Sequence, residues 1–169
     1  MALSMHQASV PVLVRALGNL REVLRKGEAH AVERGYDPSL LLQARLAPDM
    51  FPLVRQVQIA CDFAKGVTAR LAGAEVPVYD DKEQSLEQLR VLVDRTIAFI
   101  GSFDAGAFEG SETREIVTRP GTPKERRFNG QDYLLSYGLP QFFFHVTTAY
   151  ALLRHNGVEI GKRDYMGAY

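Results

Sequence analysis

The sequence predicts an all-α fold: an antiparallel four-helix bundle with a short extra helix and a small β-hairpin before the last helix. Three observations carry that expectation. Four segments repeat apolar residues at steps of three and four, the period of one helical face. Capping residues, prolines and glycines bracket those segments where helices would start and stop. Only one region, Thr113 to Phe128, has short β-branched stretches on either side of a Pro-Gly turn.

In the first segment Val10, Leu13, Leu17, Leu20 and Leu24 form one stripe, which His6 extends upstream. Ser4 and Gln7 have the spacing of a capping box. The helix therefore either starts early and kinks at Pro11 or begins near Ser9; the longer form is preferred. Gly27 and Gly35 weaken the period after it. Asp37-Pro38 then opens a short helix to about Leu46, stopped by Pro48.

Asp49 is expected to cap the second long helix, whose stripe is Leu53, Val57, Ala60, Ala64, Val67 and Leu71, closed by Gly73. After a linker over Glu75–Lys82, Ser85 and Gln88 form a capping box for a third helix. Its core positions are Leu86, Leu89, Val93, Ile97 and Ile100. Two short strands, Thr113 to Thr118 and Lys124 to Phe128, flank Pro120-Gly121-Thr122-Pro123. A hairpin of this size must lie against the bundle to be stable. Asn129 caps the last long helix, which should kink at Pro140 and end near His155, before Asn156-Gly157. Residues 1–169 read as one domain, with no internal repeat.

Twenty basic residues balance twenty acidic ones, so net charge favours neither nucleic acid nor an anionic membrane. No stretch approaches the ~20 apolar residues of a membrane span, and the N-terminus lacks the pattern of a signal peptide. The single cysteine, Cys61, excludes an internal disulfide. A cytoplasmic location is expected. No Gly-x-Ser-x-Gly, phosphate-cradling glycine loop or Cys-x-x-Cys is present.

Candidate chemistry centres on His145, which follows Phe142-Phe143-Phe144 in the apolar middle of the last helix, one turn after Gln141. Gln58 and Asp62 lie one turn apart beside the core stripe of the second helix. If the bundle brings these faces together, His145 acts as an acid–base or hydrogen-bonding group and Asp62 orients it or holds a polar ligand. Gln58, Gln141, Tyr150 and Arg154 complete the candidate ligand-binding set. Blander readings stand beside this one: a histidine satisfied within the core, and a glutamine and aspartate paired with each other or with an arginine. A metal at His145, zinc or nickel, is a weaker expectation, because glutamine is a poor ligand for first-row metals and a buried cysteine is usually a small hydrophobe. The basic spot of Arg119, Lys124, Arg126 and Arg127 is expected to be solvated surface. The tail from Gly161 to Tyr169 is expected to be solvated, or to fold back over a pocket mouth.

Three strings resemble an uncharacterised bacterial family filed as a domain of unknown function. They are Pro140-Gln141-Phe142-Phe143-Phe144-His145-Val146-Thr147-Thr148-Ala149-Tyr150 with Leu153-Arg154-His155-Asn156-Gly157, then Arg45-Leu46-Ala47-Pro48-Asp49-Met50-Phe51-Pro52, and Gly161-Lys162-Arg163-Asp164-Tyr165. That family is similar to the DinB/YfiT-like metalloenzyme superfamily. The resemblance implies a four-helix bundle, a three-histidine divalent-metal site, transfer of groups to or from small thiols in some members, and common homodimerisation. Here only His145 matches the histidine pair of the last helix, Gln141 stands a turn before it, and the second helix has no histidine. The leading expectation is therefore a small-molecule-binding bundle with a degenerate metal site. A metal-dependent thiol S-transferase with altered ligands and a purely structural protein are the alternatives.

Overall fold

The computed structural model describes residues 3–168; Met1, Ala2 and Tyr169, which the readings of the N-terminus, the tail and the 1–169 domain include, lie outside them. The bundle is built from α1 (Met5–Glu33), α2 (Leu53–Ala72), α3 (Leu86–Gly101) and a last helix in three pieces: α4 (Gly130–Asp132), a π-helical stretch (Tyr133–Gly138) and α5 (Leu139–His155). Short 3₁₀ turns span Pro38–Gln43 and Ala105–Phe108. Strands β1 (Glu115–Thr118) and β2 (Arg126–Asn129) pair antiparallel, and α6 (Lys162–Met166) closes the chain. Among the described residues no helix is long and apolar enough to cross a membrane.

The reciprocal Ser4–Gln7 box starts α1, so the longer form is present and the helix is continuous across Pro11. All five predicted stripe residues of α1 are buried. The helix also continues past Gly27, which weakens the helical period, and ends at Glu33. A Cβ at Gly27 would stand 3.0 Å from Leu153 Cδ2, so glycine here permits close approach of α1 to α5. At α2 the expected cap is absent. The helix starts after Pro52 with no side-chain cap, and Asp49 lies in an exposed turn before it. The short helix after Asp37 is 3₁₀ and ends at Gln43, short of Leu46. Only half of the Ser85 box forms: Ser85 Oγ accepts from Gln88 N–H, while Gln88 Oε1 takes the Gln84 N–H.

Cross-helix contacts fix the helix directions. Arg21 meets Asp94 and Glu28 meets Arg90, so α1 and α3 are antiparallel. Gln56 meets His145 and Arg70 meets Tyr133, so α2 opposes the last helix. Gly27 meets Leu153 and Gly157 approaches His30, so α1 and α5 run together. It follows that α2 and α3, though consecutive, point the same way. The chain must return the length of α2, about 30 Å for 20 residues. Residues 74–85 do this in extended form, within their reach of about 40 Å. They lie along α2, with Tyr79 beside Lys65, Asp81 on Arg55 and Glu83 on Gln58.

Pro140 lies at the start of α5 and not within a regular helix. The π stretch just before it takes up the mismatch, with Leu139 N–H donating to Leu134 C=O five residues back, and Pro140 falls in the first turn of α5. Gly138 packs so tightly on Val67 that a Cβ would come within 2.5 Å of Val67 Cγ2. This seats Tyr137, Gln141 and His145, four residues apart, on one face toward α2.

Two glycine variants test this packing. A Cβ at Gly130 would fall 1.7 Å from the Ser111 carbonyl oxygen, so Gly130→Ala should lower unfolding free energy by about 1–3 kcal/mol. Gly18 sits inside α1 with nothing within 4 Å of a built Cβ, so Gly18→Ala should raise it by about 0.5–1 kcal/mol. Urea unfolding of both variants beside the parent measures the two signs.

Candidate functional site

The site begins with a buried imidazole. His145 is buried in α5 against α2, stacked on Phe63 with ring centroids 6.0 Å apart and 15° between planes. A buried polar ring needs partners. The chain turn before α2 places one. Gln56 Nε2 donates to the Phe51 carbonyl at 3.0 Å, and a carbonyl can only accept. This fixes the amide orientation, so Oε1 faces His145 Nδ1 at 2.7 Å. An amide oxygen also only accepts, so Nδ1 carries the hydrogen and donates it. Nε2, across the ring, is then the nitrogen with a free lone pair. It has no hydrogen-bond partner among the described residues and is not sealed from solvent.

Burial, and secondarily the charge of Arg55, hold the His145 pKa below its ordinary 6.5. The imidazole is thus neutral at pH 7: a hydrogen-bond acceptor and base through Nε2.

His145 lines a cavity of about 580 Å³ together with Gln141, Tyr137, Phe63, Ile59 and Phe51. The hairpin roofs it, contributing Arg119, Lys124, Glu125 and Arg126. A second lobe of about 660 Å³ shares Phe51, Ile59, Phe63, Arg119 and Tyr137, and extends between α2 and the linker past Arg55, Asp62, Lys65, Arg70, Tyr79 and Thr118. Both volumes suit a small molecule. Glu125 is held by Arg127 and the Gly121 N–H, whereas Arg119, Lys124 and Arg126 have no acidic partner among the described residues. Arg126 stands 6.0 Å from the Tyr137 ring centroid.

The predicted residues separate. Gln141 joins His145 in the first lobe. Asp62 does not orient the imidazole: it lies in the second lobe, paired with buried Lys65 at 2.7 Å, and Lys65 Nζ also rests 3.7 Å over the Tyr79 ring. Gln58 lines neither lobe. Its carbonyl accepts from Arg55 at 2.7 Å and its amide donates to Glu83 at 2.7 Å, both under the returning linker. Tyr150 packs edge-on against Tyr165, and Arg154 reaches the Val158 carbonyl at 3.5 Å, away from the cleft. His6 stands edge-on to Phe108. The tail covers α1 instead of the cleft mouth, with Lys26 on Asp164 and Asn19 donating to the Tyr165 carbonyl. Cys61 is buried, and burial pushes its thiol up to about 12, leaving it protonated and inert.

Sequence reasoning missed Gln56 and assigned the hairpin cations to solvated surface, whereas Arg119, Lys124 and Arg126 line the cavity. Gln56 lies three after Leu53 and four before Ala60, an amide set into the apolar stripe itself. That position was the available signal. Nothing local tells that the hairpin folds over α2.

The resemblance implies a divalent metal at three histidines, and the donor set does not fit one. His145 offers a single imidazole, Gln56 spends its carbonyl on Nδ1, and Asp62 is committed to Lys65. Among the described residues no group of three His, Cys, Asp or Glu converges.

Comparison with known proteins agrees with this frame. The family model "Domain of unknown function (DUF1993)" matches residues 5–166. The crystal structure of a DinB family member protein from Shewanella denitrificans superposes with a TM-score of 0.91 at 38% identity, covering 98% of this chain and 93% of that one. No curated protein matches significantly.

Because the folded His145 pKa is lowered, the unfolded chain binds more protons between that value and 6.5. Stability should therefore be full above about pH 6.5 and fall as acid takes the protein through the lowered value. Thermal melts between about pH 7.5 and 5 should show that fall, and His145→Gln should flatten it whatever its effect at neutral pH.

Proposed function

This chain belongs to the DUF1993 family, and from that premise we propose that it is a small-molecule-binding DinB-like bundle whose ligand occupies the two-lobed cleft. Neutral His145 accepts a proton or a hydrogen bond from that ligand through Nε2. One observation carries the reading: the Phe51–Gln56–His145 relay. It spends two hydrogen bonds, each worth about 1 kcal/mol net, on holding one tautomer of a ring that lines a cavity. A histidine needed only for packing would be served by a sealed surround, and this one borders about 580 Å³ of space.

Gln141, a turn before His145 on the same wall, supplies an amide that donates and accepts beside Nε2. Phe51, Phe63 and Tyr137 supply apolar and π surface for the body of the ligand. The site would bind, orient and deprotonate. It has the parts for proton transfer, and no step is routed through a metal.

The rival, a metal-dependent thiol transferase with altered ligands, has only one strong donor to build on. Equilibrium dialysis against Zn²⁺ and Ni²⁺ separates the two. The proposal expects weak uptake that His145→Ala leaves unchanged. Near-stoichiometric metal lost in that variant would replace it with the metalloenzyme. In parallel, a screen of small organic fragments followed by ¹⁵N NMR should yield binders that shift His145 and Gln141 together. Binders that shift only surface residues would refute the cleft.

A further inference from the structure

The cleft carries an imbalance of charge that its own residues do not settle. Four cations line the second lobe: Arg55, Lys65, Arg70 and Arg119. Two of them are answered, Arg55 by Asp81 and Lys65 by Asp62. Arg70 and Arg119 have no acidic partner among the described residues. Arg70 is half-buried, and its guanidinium is held by donating to the Tyr133 hydroxyl at 3.1 Å. Burial pushes the Tyr133 phenol up, so it stays neutral and gives no countercharge. A partly desolvated, immobilised arginine without a carboxylate is a costly arrangement unless an anion completes it.

Two further features converge on the same lobe. Thr118, buried at the end of β1 and lining the lobe, has a hydroxyl with no hydrogen-bond partner among the described residues. The next residue, Arg119, adopts φ +50°, a left-handed conformation that arginine rarely takes. Strain of this kind persists where a side chain must be aimed. Arg119 is also the cation shared by both lobes.

We infer that the second lobe is an oxyanion seat, in which Arg70 and Arg119 hold the phosphate or carboxylate of a ligand whose apolar body lies on Phe63 and Tyr137 and reaches His145. The inference rests on the cleft being the ligand site and adds the class of ligand: a small molecule with an oxyanion at one end and an apolar or aromatic part next to it. Lys124 and Arg126 are the rival seat. Like Arg119 they are exposed, but they belong to the first lobe and lack a half-buried cation such as Arg70 beside them, so an anion there would gain less from charge in water.

The test uses phenyl phosphate and benzoate as the two oxyanion probes, titrated by calorimetry and ¹⁵N NMR. The proteins are the parent chain, Arg70→Gln, Arg119→Gly and the Lys124→Gln/Arg126→Gln double variant. The inference expects at least one probe to bind the parent and shift the Arg70 side-chain signal. Arg70→Gln and Arg119→Gly should each weaken binding about tenfold, and the double variant less than about twofold. Arg119→Gly should also melt at a higher temperature than the parent, because glycine takes φ +50° without strain, so its weaker binding cannot be put down to misfolding. Binding undiminished in Arg70→Gln and Arg119→Gly, or lost only in the double variant, overturns the seat while a His145 shift on binding still upholds the cleft. Failure of both probes to bind the parent at millimolar concentration overturns the oxyanion class, and fragments that shift His145 would keep the cleft reading standing.

Discussion

A single hydrogen-bonded line, from the Phe51 carbonyl through the Gln56 amide to the His145 ring, joins the turn before α2 to the centre of α5. The basicity and orientation of the imidazole in the cleft depend on it. The carbonyl fixes the amide, the amide fixes the tautomer, and burial keeps the ring neutral. At the far end of the same helix pair, Arg70 and Tyr133 make a second polar tie. Between them, Gly138 lets the π stretch sit directly on Val67. The α2–α5 interface is thus pinned at both ends and close-packed between, which gives the row Tyr137, Gln141 and His145 a fixed wall to line.

The topology explains why the cleft lies where it does. With α2 and α3 pointing the same way, the linker must run back along α2, and its Asp81 and Glu83 engage Arg55 and Gln58 as it goes. The hairpin, inserted between α3 and the last helix, closes the other side. Helix α2 and the hairpin bring positive charge to one aromatic groove, although the whole chain is neutral. Net charge alone could not reveal this, because the compensating carboxylates lie elsewhere, as Glu22 and Asp94 do on Arg21.

Much of the fold was legible from the sequence. The stripe of α1, the Ser4–Gln7 box, the αL glycine at Gly73 and the Asn129 cap are local effects, written in residues three or four apart, and they appear as read. The misreadings needed knowledge of distant packing. Gly27 only weakens the period in the sequence, because the partner that explains it, Leu153, is far along the chain. The Asp49 cap does not form because the chain turns again before α2, which starts after Pro52. The site was half legible. His145 and Gln141 stood out as polar residues in an apolar run. Gln58 and Asp62 were chosen for their mutual spacing, when the informative residue was Gln56, the amide inside the stripe. Which neighbours satisfy Gln58 and Asp62, namely Glu83, Arg55 and Lys65, is decided by the path of the linker and the rotation of α2, and neither leaves a local mark.

The central claim is the tautomer and charge of one ring, and long-range ¹H–¹⁵N correlation of the His145 imidazole at neutral pH reads both. The account predicts a neutral ring with Nδ1 protonated and Nε2 at the shift of an unprotonated nitrogen, collapsing to an exchanging mixture in Gln56→Leu. An imidazolium at that pH, a hydrogen on Nε2, or a spectrum indifferent to Gln56→Leu would contradict it.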